Sequence, residues 1–351
     1  MSAGPRPDGG RDDATGPVTL GIDVGGTKIL GLAVDGSGSV LAEAKAPTPR
    51  VLAPGSTPGA GGDAVIEAVA GVAEQLIEAL DTAGRVVTAA GVGVPGMVDD
   101  AGVLRFAPNL PGGEGLDVGG RVTTRLGGLR VVVDNDATCA AVAEWTSGAA
   151  VGASDAVVVT LGTGIGGGLV VDNRVARGAL GFAGEIGHMV VDPSGPSCPC
   201  GKRGCWERFA SGSGLGRLAR EAAHAGRLDA VLRLAGGDPE AVRAEDVTAA
   251  AATGDAGARA VLEELAWWLA LGLANLANIL DPSVFVLGGG LVDALDLVIE
   301  PVRVAFDDLV EGRLGRPEVM IRLATLGERA GAVGAGLLAR QDHRSLPGRP
   351  G

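Results

Sequence analysis

His188, Cys198, Cys200 and Cys205 fall within 18 residues of a 351-residue chain that holds only three histidines and four cysteines. Three thiolates and one imidazole form a complete tetrahedral ligand set for zinc, with no open position for a reactive water. A closed set of this kind staples a loop and does not activate a substrate. Carboxylates flank it on both sides, Glu185 three residues before the histidine and Glu207 two after the last cysteine. A Cys3His site needs no fifth ligand, so both acids are free to face something else. The remaining cysteine, Cys139, has no disulfide partner and reads as a small buried hydrophobe.

A second group of acids sits where strands are expected to end. The run Val131-Val-Val-Asp134-Asn135-Asp136 closes a buried strand and leads into an Ala-rich helix, and side chains at such strand ends line the ligand crevice of an α/β sheet. Two readings stand for Asp136. It is a helix N-cap, a role the adjacent Asn135 fills equally well, or a general base that takes a proton from a substrate hydroxyl, a task worth about 10²–10⁴ in rate. Asp23 ends the first expected strand, just before Gly25-Gly26-Thr27-Lys28. That position suits an indirect, water-mediated contact to Mg²⁺, which keeps several of its waters and takes one or two carboxylates.

Glycine runs accompany these acids at Gly25-Gly26, at Gly162-Thr163-Gly164-Ile-Gly166-Gly167 and at Gly288-Gly289-Gly290. The second satisfies G-x-G-x-x-G, but the β-branched run Gly168-Leu-Val-Val follows it. The dinucleotide fingerprint requires a helix there, which argues against a Rossmann site. The first run lacks the P-loop spacing and the Ser or Thr after its lysine. Each is either an ordinary tight turn or a cradle of backbone N–H groups open to an anion. The stretches Leu20–Asp35 and Val157–Asp172 share one design, a buried strand, a Gly/Thr-rich turn, a second strand and an Asp-led turn. Two such hairpins near the starts of two halves suggest a duplicated fold with a cleft between the copies.

The elements that position these groups alternate, as expected of an α/β architecture. Strands are expected at 18–22, 29–34, 88–94, 130–134, 156–161, 168–172, 284–287 and about 319–324. Helices are expected at 63–80, 136–147, 212–224, 246–251, 257–280, 291–309 and 329–340. A Pro/Gly-rich loop runs from about Pro47 to Gly62, and residues 1–17 and those after Arg340 read as disordered tails. The most apolar run, Leu265–Leu280, is shorter than the ~20 residues that span a bilayer and reads as a core helix ended by Asp281-Pro282. The net charge of -13 argues against a nucleic-acid partner, which needs a basic face. No basic segment followed by an apolar stretch opens the chain, so a cytoplasmic protein with no membrane partner is expected.

Together these residues resemble the ROK family of repressors and sugar kinases, in particular its bacterial, actinobacterial-type glucokinases. The resemblance covers roughly residues 18–340. It rests on Asp23-Val-Gly-Gly-Thr27-Lys28, Val133-Asp-Asn135-Asp136-Ala, Leu161-Gly-Thr-Gly-Ile-Gly-Gly-Gly168, Glu185-Ile-Gly-His188, Cys198-Pro-Cys200-Gly-Lys-Arg-Gly-Cys205-Trp-Glu207 and Leu287-Gly-Gly-Gly290. The cysteine segment is the most specific of these. The resemblance implies the actin/sugar kinase/Hsp70 fold, two RNase H-like α/β domains closing over ATP and sugar. The expected division is a small domain at 18–135 completed by the helix at about 329–340, and a large one at 136–328 that carries the zinc loop 185–207. Residues 341–351 form the flexible tail.

The implied reaction is ATP-dependent phosphorylation of a hexose at its 6-hydroxyl, glucose foremost, with Asp136 as base. By the same resemblance Asn135, Glu185, His188 and Glu207 bind sugar hydroxyls, with Asn109 and Gly96 nearby. Asp23, Gly25, Gly26, Thr27 and Lys28 hold phosphates and Mg²⁺ together with Gly162, Thr163, Gly164 and Gly166. Gly288, Gly289 and Gly290 flank the adenosine, and structural zinc takes His188, Cys198, Cys200 and Cys205. A homodimer or homotetramer is expected. After Leu110 the chain reads Pro-Gly-Gly-Glu114, where related glucokinases often carry an aromatic residue. N-acetylmannosamine, N-acetylglucosamine or fructose therefore remain alternative substrates, and polyphosphate an alternative donor. Family repressors that bind sugar without catalysis carry a winged helix-turn-helix ahead of the first turn, whereas only twenty-two residues precede Asp23 here.

Overall fold

The computed structural model describes residues 17–35, 38–49, 60–107, 110 and 112–340. Asn109 and, apart from Pro17, the expected tails lie outside the described residues. The first half runs β1 (Val18–Val24), β2 (Lys28–Val34), β3 (Val40–Pro47), α1 (Ala60–Thr82), β4 (Val87–Val94), β5 (Met97–Val98), β6 (Val103–Phe106), β7 (Leu116–Asp117), α2 (Val118–Arg125) and β8 (Val131–Asn135). The second begins with α3 (Asp136–Ser147), β9 (Ala156–Leu161), β10 (Ile165–Val171), β11 (Arg174–Val175), α4 (Glu207–Ala210), α5 (Gly212–His224) and α6 (Asp229–Leu234). It continues through α7 (Ala244–Ala252), α8 (Ala256–Leu280), β12 (Val284–Gly288), α9 (Val292–Leu309), β13 (Met320–Leu323) and α10 (Ala330–Arg340).

Two five-stranded sheets repeat one plan, with orders β3-β2-β1-β4-β8 and β11-β10-β9-β12-β13. In each sheet, with its own strands counted in chain order, the first pairs antiparallel with the second and parallel with the fourth, which pairs parallel with the fifth (β8 or β13). The central strands with a parallel partner, β1, β4, β9 and β12, are nearly continuous buried apolar runs, as parallel strands covered on both faces must be. The two similar hairpins of the sequence are β1-β2 and β9-β10, in the same place in each sheet.

Small residues let α3 and α10 lie close together and close to the first sheet. Thr19 Oγ1 donates to the Gly336 carbonyl at 2.8 Å, and a side chain at Gly21 or Gly91 would strike the α10 backbone. Cys139 is fully buried in this layer among Leu30, Leu32, Val333 and Leu338. The segment leading into α10 is tied to α3 by the buried Glu144. Its carboxylate accepts from the backbone N–H groups of Ala149 at 2.8 Å, Thr325 at 3.0 Å and Leu326 at 2.9 Å.

The second half owns the largest core, built around α8. Among the described residues α8 alone is long and apolar enough to cross a membrane by length and composition. It is a core helix, with Leu262, Leu265, Leu269, Leu273 and Leu276 buried, and it ends at Asp281, whose φ of 47° breaks the helical path.

Several expected boundaries shift. β10 begins at Ile165 and not at 168, because Gly166 and Gly167 pair with Thr160 and Val159 as ladder residues. The unexpected β3 pairs along all of β2, so the loop expected from about Pro47 cedes that residue to a strand and ends where α1 begins at Ala60. The helices α2 and α6 and the small β5-β6-β7 sheet are likewise additions.

Candidate active site

The carboxylates converge because β1, β4 and β8 end together. Asp23 pairs with Gly93, and Gly93 with Asp134, so Asp136 follows two residues beyond the register that holds Asp23. Gly93 lies between them. A Cβ there would stand 3.5 Å from both Asp23 Oδ1 and the Asp136 Cα. The cap of α3 is Asn135, whose Oδ1 accepts from Thr138 N–H at 3.0 Å and whose Nδ2 donates to the Gly96 carbonyl at 3.1 Å. This resolves the two readings of Asp136 in part, since the capping role is filled by its neighbour. Asp136 Oδ1 accepts from the Ala137 N–H at 2.8 Å. Asp134 is committed elsewhere, accepting from Arg177 Nε at 2.7 Å.

Both free acids are hard to ionise. Burial lifts Asp136 to about 6, Glu185 adding repulsion and the Ala137 N–H opposing it. Burial also lifts Asp23 to about 7, with the Asp136 charge adding and Lys28 opposing. These mutual influences order the site: Asp136 lies within electrostatic reach of Asp23 on one side and of Glu185 on the other.

The first glycine turn closes with Gly25 N–H donating to the Lys28 carbonyl at 3.0 Å and is braced by Thr48 Oγ1 on the Gly25 carbonyl at 2.6 Å. Lys28 pairs with Glu328, ahead of α10. The second turn closes with Gly162 N–H on the Gly164 carbonyl at 3.0 Å. The third packs on the end of β9. Gly289 has a φ of 100°, open to glycine at no cost, and a Cβ there would meet the Leu161 carbonyl at 2.6 Å. Gly26, Gly162 and Gly290 each face open space on the side where a Cβ would stand. Gly166 is not part of its turn. It lies inside β10, where a Cβ would stand 2.6 Å from Thr160 Oγ1 and 2.7 Å from Ala137 Cβ, so its smallness serves the packing of β10 on α3.

Glu185 and His188 are set by a 3-10 turn at Ile186–His188. Isolated bridges Val190↔Cys205 and Ser197↔Arg203 then fold the cysteine loop back on itself. The four candidate ligand atoms all lie within 4.8 Å of one another. Cys198 Sγ is 3.7 Å from His188 Nδ1 and Cys200 Sγ is 3.6 Å from Cys205 Sγ. Zinc–sulfur bonds of about 2.3 Å and zinc–nitrogen bonds of about 2.0–2.1 Å place tetrahedral ligands about 3.5–3.8 Å apart, so the donor set and spacing fit zinc. His188 Nε2 points away from the cluster, 3.7 Å from Glu185 Oε2. Trp206 anchors the loop: it is fully buried against Gly272 of α8, and its Nε1 donates to the Trp268 carbonyl at 2.8 Å.

Glu207 links the loop to the second glycine turn. Its Oε1 accepts from Cys198 Sγ at 3.1 Å, and its Oε2 lies 2.5 Å from where a Cβ on Gly164 would stand. The sequence signals therefore come together as one chain of groups, Asp23, Asp136, Glu185, His188 and Glu207, bounded by the first and second turns. Sequence reasoning missed Gly93, Arg177 and Trp206, which brace this chain. Only Trp206, a large apolar residue wedged between a candidate zinc ligand and an acid, carried a local signal.

The duplicated sheets with an acid at the end of β1 and another after β8 are those of an actin-like sugar kinase fold. A profile of the ROK family matches residues 19–342, and the chain belongs to the ROK family. The glucokinase of Streptomyces coelicolor is 39% identical over 327 residues, which cover 92% of this chain and 98% of that protein. The glucokinase of Halalkalibacterium halodurans is 33% identical over 329 residues, 93% and 96% of the two chains. Among solved structures, the ROK family glucokinase of Streptomyces griseus in complex with glucose and AMPPNP is 41% identical with a TM-score of 0.78, covering 93% of this chain and 100% of that one.

Proposed function

We propose that the protein transfers the γ-phosphoryl group of ATP to the 6-hydroxyl of a hexose, with glucose the preferred acceptor. Two lobes, 18–135 with α10 and 136–328, would close over the substrates and exclude water that otherwise takes the phosphoryl group. The observation that carries the reading is the position of Asp136 at the end of the sheet, across Gly93 from Asp23 beside the first turn, a Cβ on Gly93 standing 3.5 Å from both residues. Asp136 is the base: ionised above pH ~6, it accepts the hydroxyl proton while the sugar oxygen bonds to phosphorus. The bond to the bridging oxygen breaks, and its electron pair leaves with ADP.

The first and second turns hold the phosphates through Gly25, Gly26, Thr27, Lys28, Gly162, Thr163 and Gly164, and Gly288, Gly289 and Gly290 flank the adenosine. Asp23 would hold Mg²⁺ through water, and the bound ion neutralises phosphate charge. Asn135, Gly96, Glu185, His188 and Glu207 read the sugar, with Asn109 assigned by resemblance alone. Sugar hydroxyls donate to carboxylates in charge-assisted bonds, and His188 would donate in return through Nε2, which lies 3.7 Å from Glu185 Oε2. Zinc on His188, Cys198, Cys200 and Cys205 would hold Cys198 as a thiolate. That removes the thiol donor from Glu207 Oε1 and leaves this oxygen to another donor. A cytoplasmic homodimer or homotetramer is the proposed form.

A coupled sugar-phosphate assay across a hexose panel, with ATP and with polyphosphate, tests the reading. Turnover of glucose with ATP is expected. Binding of glucose without turnover by either donor would make the chain a sugar-binding regulator instead.

A further inference from the structure

Ser211 is fully buried at the N-terminus of α5, where its Oγ accepts from Gly214 N–H at 3.2 Å. The same oxygen stands 2.5 Å from the Glu207 carbonyl and 2.9 Å from the Thr163 carbonyl. A hydroxyl carries one proton, so Ser211 donates to only one of these carbonyls at a time. Ser213 Oγ, 3.0 Å away, is the second hydroxyl of the cluster and accepts from Arg208 Nη1 at 3.3 Å. With Arg208 occupying a lone pair, the Ser213 proton is free to reach Ser211.

The two competing carbonyls belong to the two sides of the site. Thr163 is the centre of the second glycine turn, and α5 grips that turn elsewhere: Gly212 N–H donates to the Gly162 carbonyl at 2.8 Å and Ser213 N–H to the Thr163 carbonyl at 3.3 Å. Glu207 opens α4 two residues after Cys205, and its carboxylate lies between Cys198 and Gly164. Any shift of Glu207 that follows a sugar hydroxyl therefore changes the carbonyl with which the glycine turn shares its proton.

We infer that Ser211 is a positioning residue that couples hexose binding at Glu207 to nucleotide binding at the Gly162–Gly164 turn, by switching one hydroxyl proton between the Glu207 and Thr163 carbonyls. The inference rests on the proposed assignment of Glu207 to sugar and of this turn to phosphate. Coupling between two ligands is reciprocal, so either order of addition reports it.

The test is calorimetric titration of the zinc-loaded full chain with glucose, alone and with saturating AMPPNP, for wild type, Ser211→Ala and Ser211→Gly. Glycine retains most of the stabilisation of a helix cap while removing the hydroxyl, so it separates the switch from folding. Asp255→Ala removes the cap of α8, where Asp255 accepts from Ala258 N–H, and controls for cap loss in general. In wild type, AMPPNP should tighten glucose by about fivefold or more. In both Ser211 variants the factor should fall below about twofold, with glucose affinity in the absence of nucleotide within about threefold of wild type. Asp255→Ala should keep the wild-type factor. Wild-type coupling in either Ser211 variant, equal loss in Asp255→Ala, absence of coupling in wild type, or loss of zinc and glucose together in both Ser211 variants would each overturn the inference. Failure of wild type to bind glucose at all would instead sink the sugar-kinase reading on which it rests.

Discussion

Replacing Asp136 by asparagine should cost activity and raise stability at the same time. The folded protein holds this carboxyl at about 6 against an ordinary 3.8, chiefly through burial. The unfolded chain therefore gives up its proton first. As pH rises from about 4 through 6, the folded state loses stability, because it must ionise a group that its surroundings keep protonated. The rise from 3.8 to about 6 corresponds to about 3 kcal/mol at pH 7.5 and about half of that at pH 5. Asparagine never ionises, and its Oδ1 can still accept the Ala137 N–H. Urea unfolding should therefore show Asp136→Asn more stable than wild type by up to about 3 kcal/mol at pH 7.5, with a smaller gap at pH 5. In the coupled assay kcat should fall by about 10²–10⁴, equivalent to about 2.7–5.4 kcal/mol of barrier. The wild-type kcat/KM should fall on the acid side near pH 6. A variant with kcat within tenfold of wild type, or one less stable than wild type at pH 7.5, would refute the reasoning.

Three further outcomes follow from the site and its frame. Cys200→Ser should lose zinc and at least about tenfold in glucose affinity together, read by metal analysis and titration; retention of both would separate the metal from the sugar. Gly164→Ala should raise KM for glucose and ATP alike by about tenfold, since its methyl group displaces Glu207 Oε2; steady-state kinetics showing an effect on ATP alone would place Glu207 away from the sugar. Glu144→Gln turns an amide N–H₂ toward backbone donors 181 and 182 residues further along, at Thr325 and Leu326. It should destabilise the fold by about 1–3 kcal/mol in denaturant, and a wild-type midpoint would contradict the role of Glu144 in tying α10 to α3.

What was legible in the sequence was chemistry local to one segment or repeated in two. His188 and its three cysteines announce a metal because the ligands lie within 18 residues. The β1-β2 and β9-β10 hairpins betray the duplication because a buried strand and a glycine turn leave the same mark twice. The contacts that turn these pieces into one site are long-range and carry no local pattern. Gly93 is one small residue in an apolar strand until Asp23 and Asp136 are seen on either side of it. Ser211 looks like a helix cap, and the Thr163 carbonyl it also meets is 48 residues away. β3 was missed because the residues that alternate inward, Ala42, Ala44 and Ala46, are small and only half-buried and carry none of the β-branched or aromatic character that marks a strand. The helix α2 was missed because Val118-Gly-Gly and a Thr pair speak against a helix, although Asp117 caps it and Val118 and Val122 bury against the first-half core. A continuous glycine run reads as one turn in the sequence, whereas the ladder with β9 already resumes at Ile165 and takes in Gly166.

The most direct test of the central claim is to follow the transferred group itself. Phosphorus and carbon NMR of wild-type protein with zinc, Mg²⁺, ATP and glucose should show ADP and glucose 6-phosphate appearing in equal amounts, with formation of both collapsing together in Asp136→Asn. ADP released without a sugar phosphate, phosphorylation at another hydroxyl, or no turnover of any hexose by the wild-type protein would contradict the account.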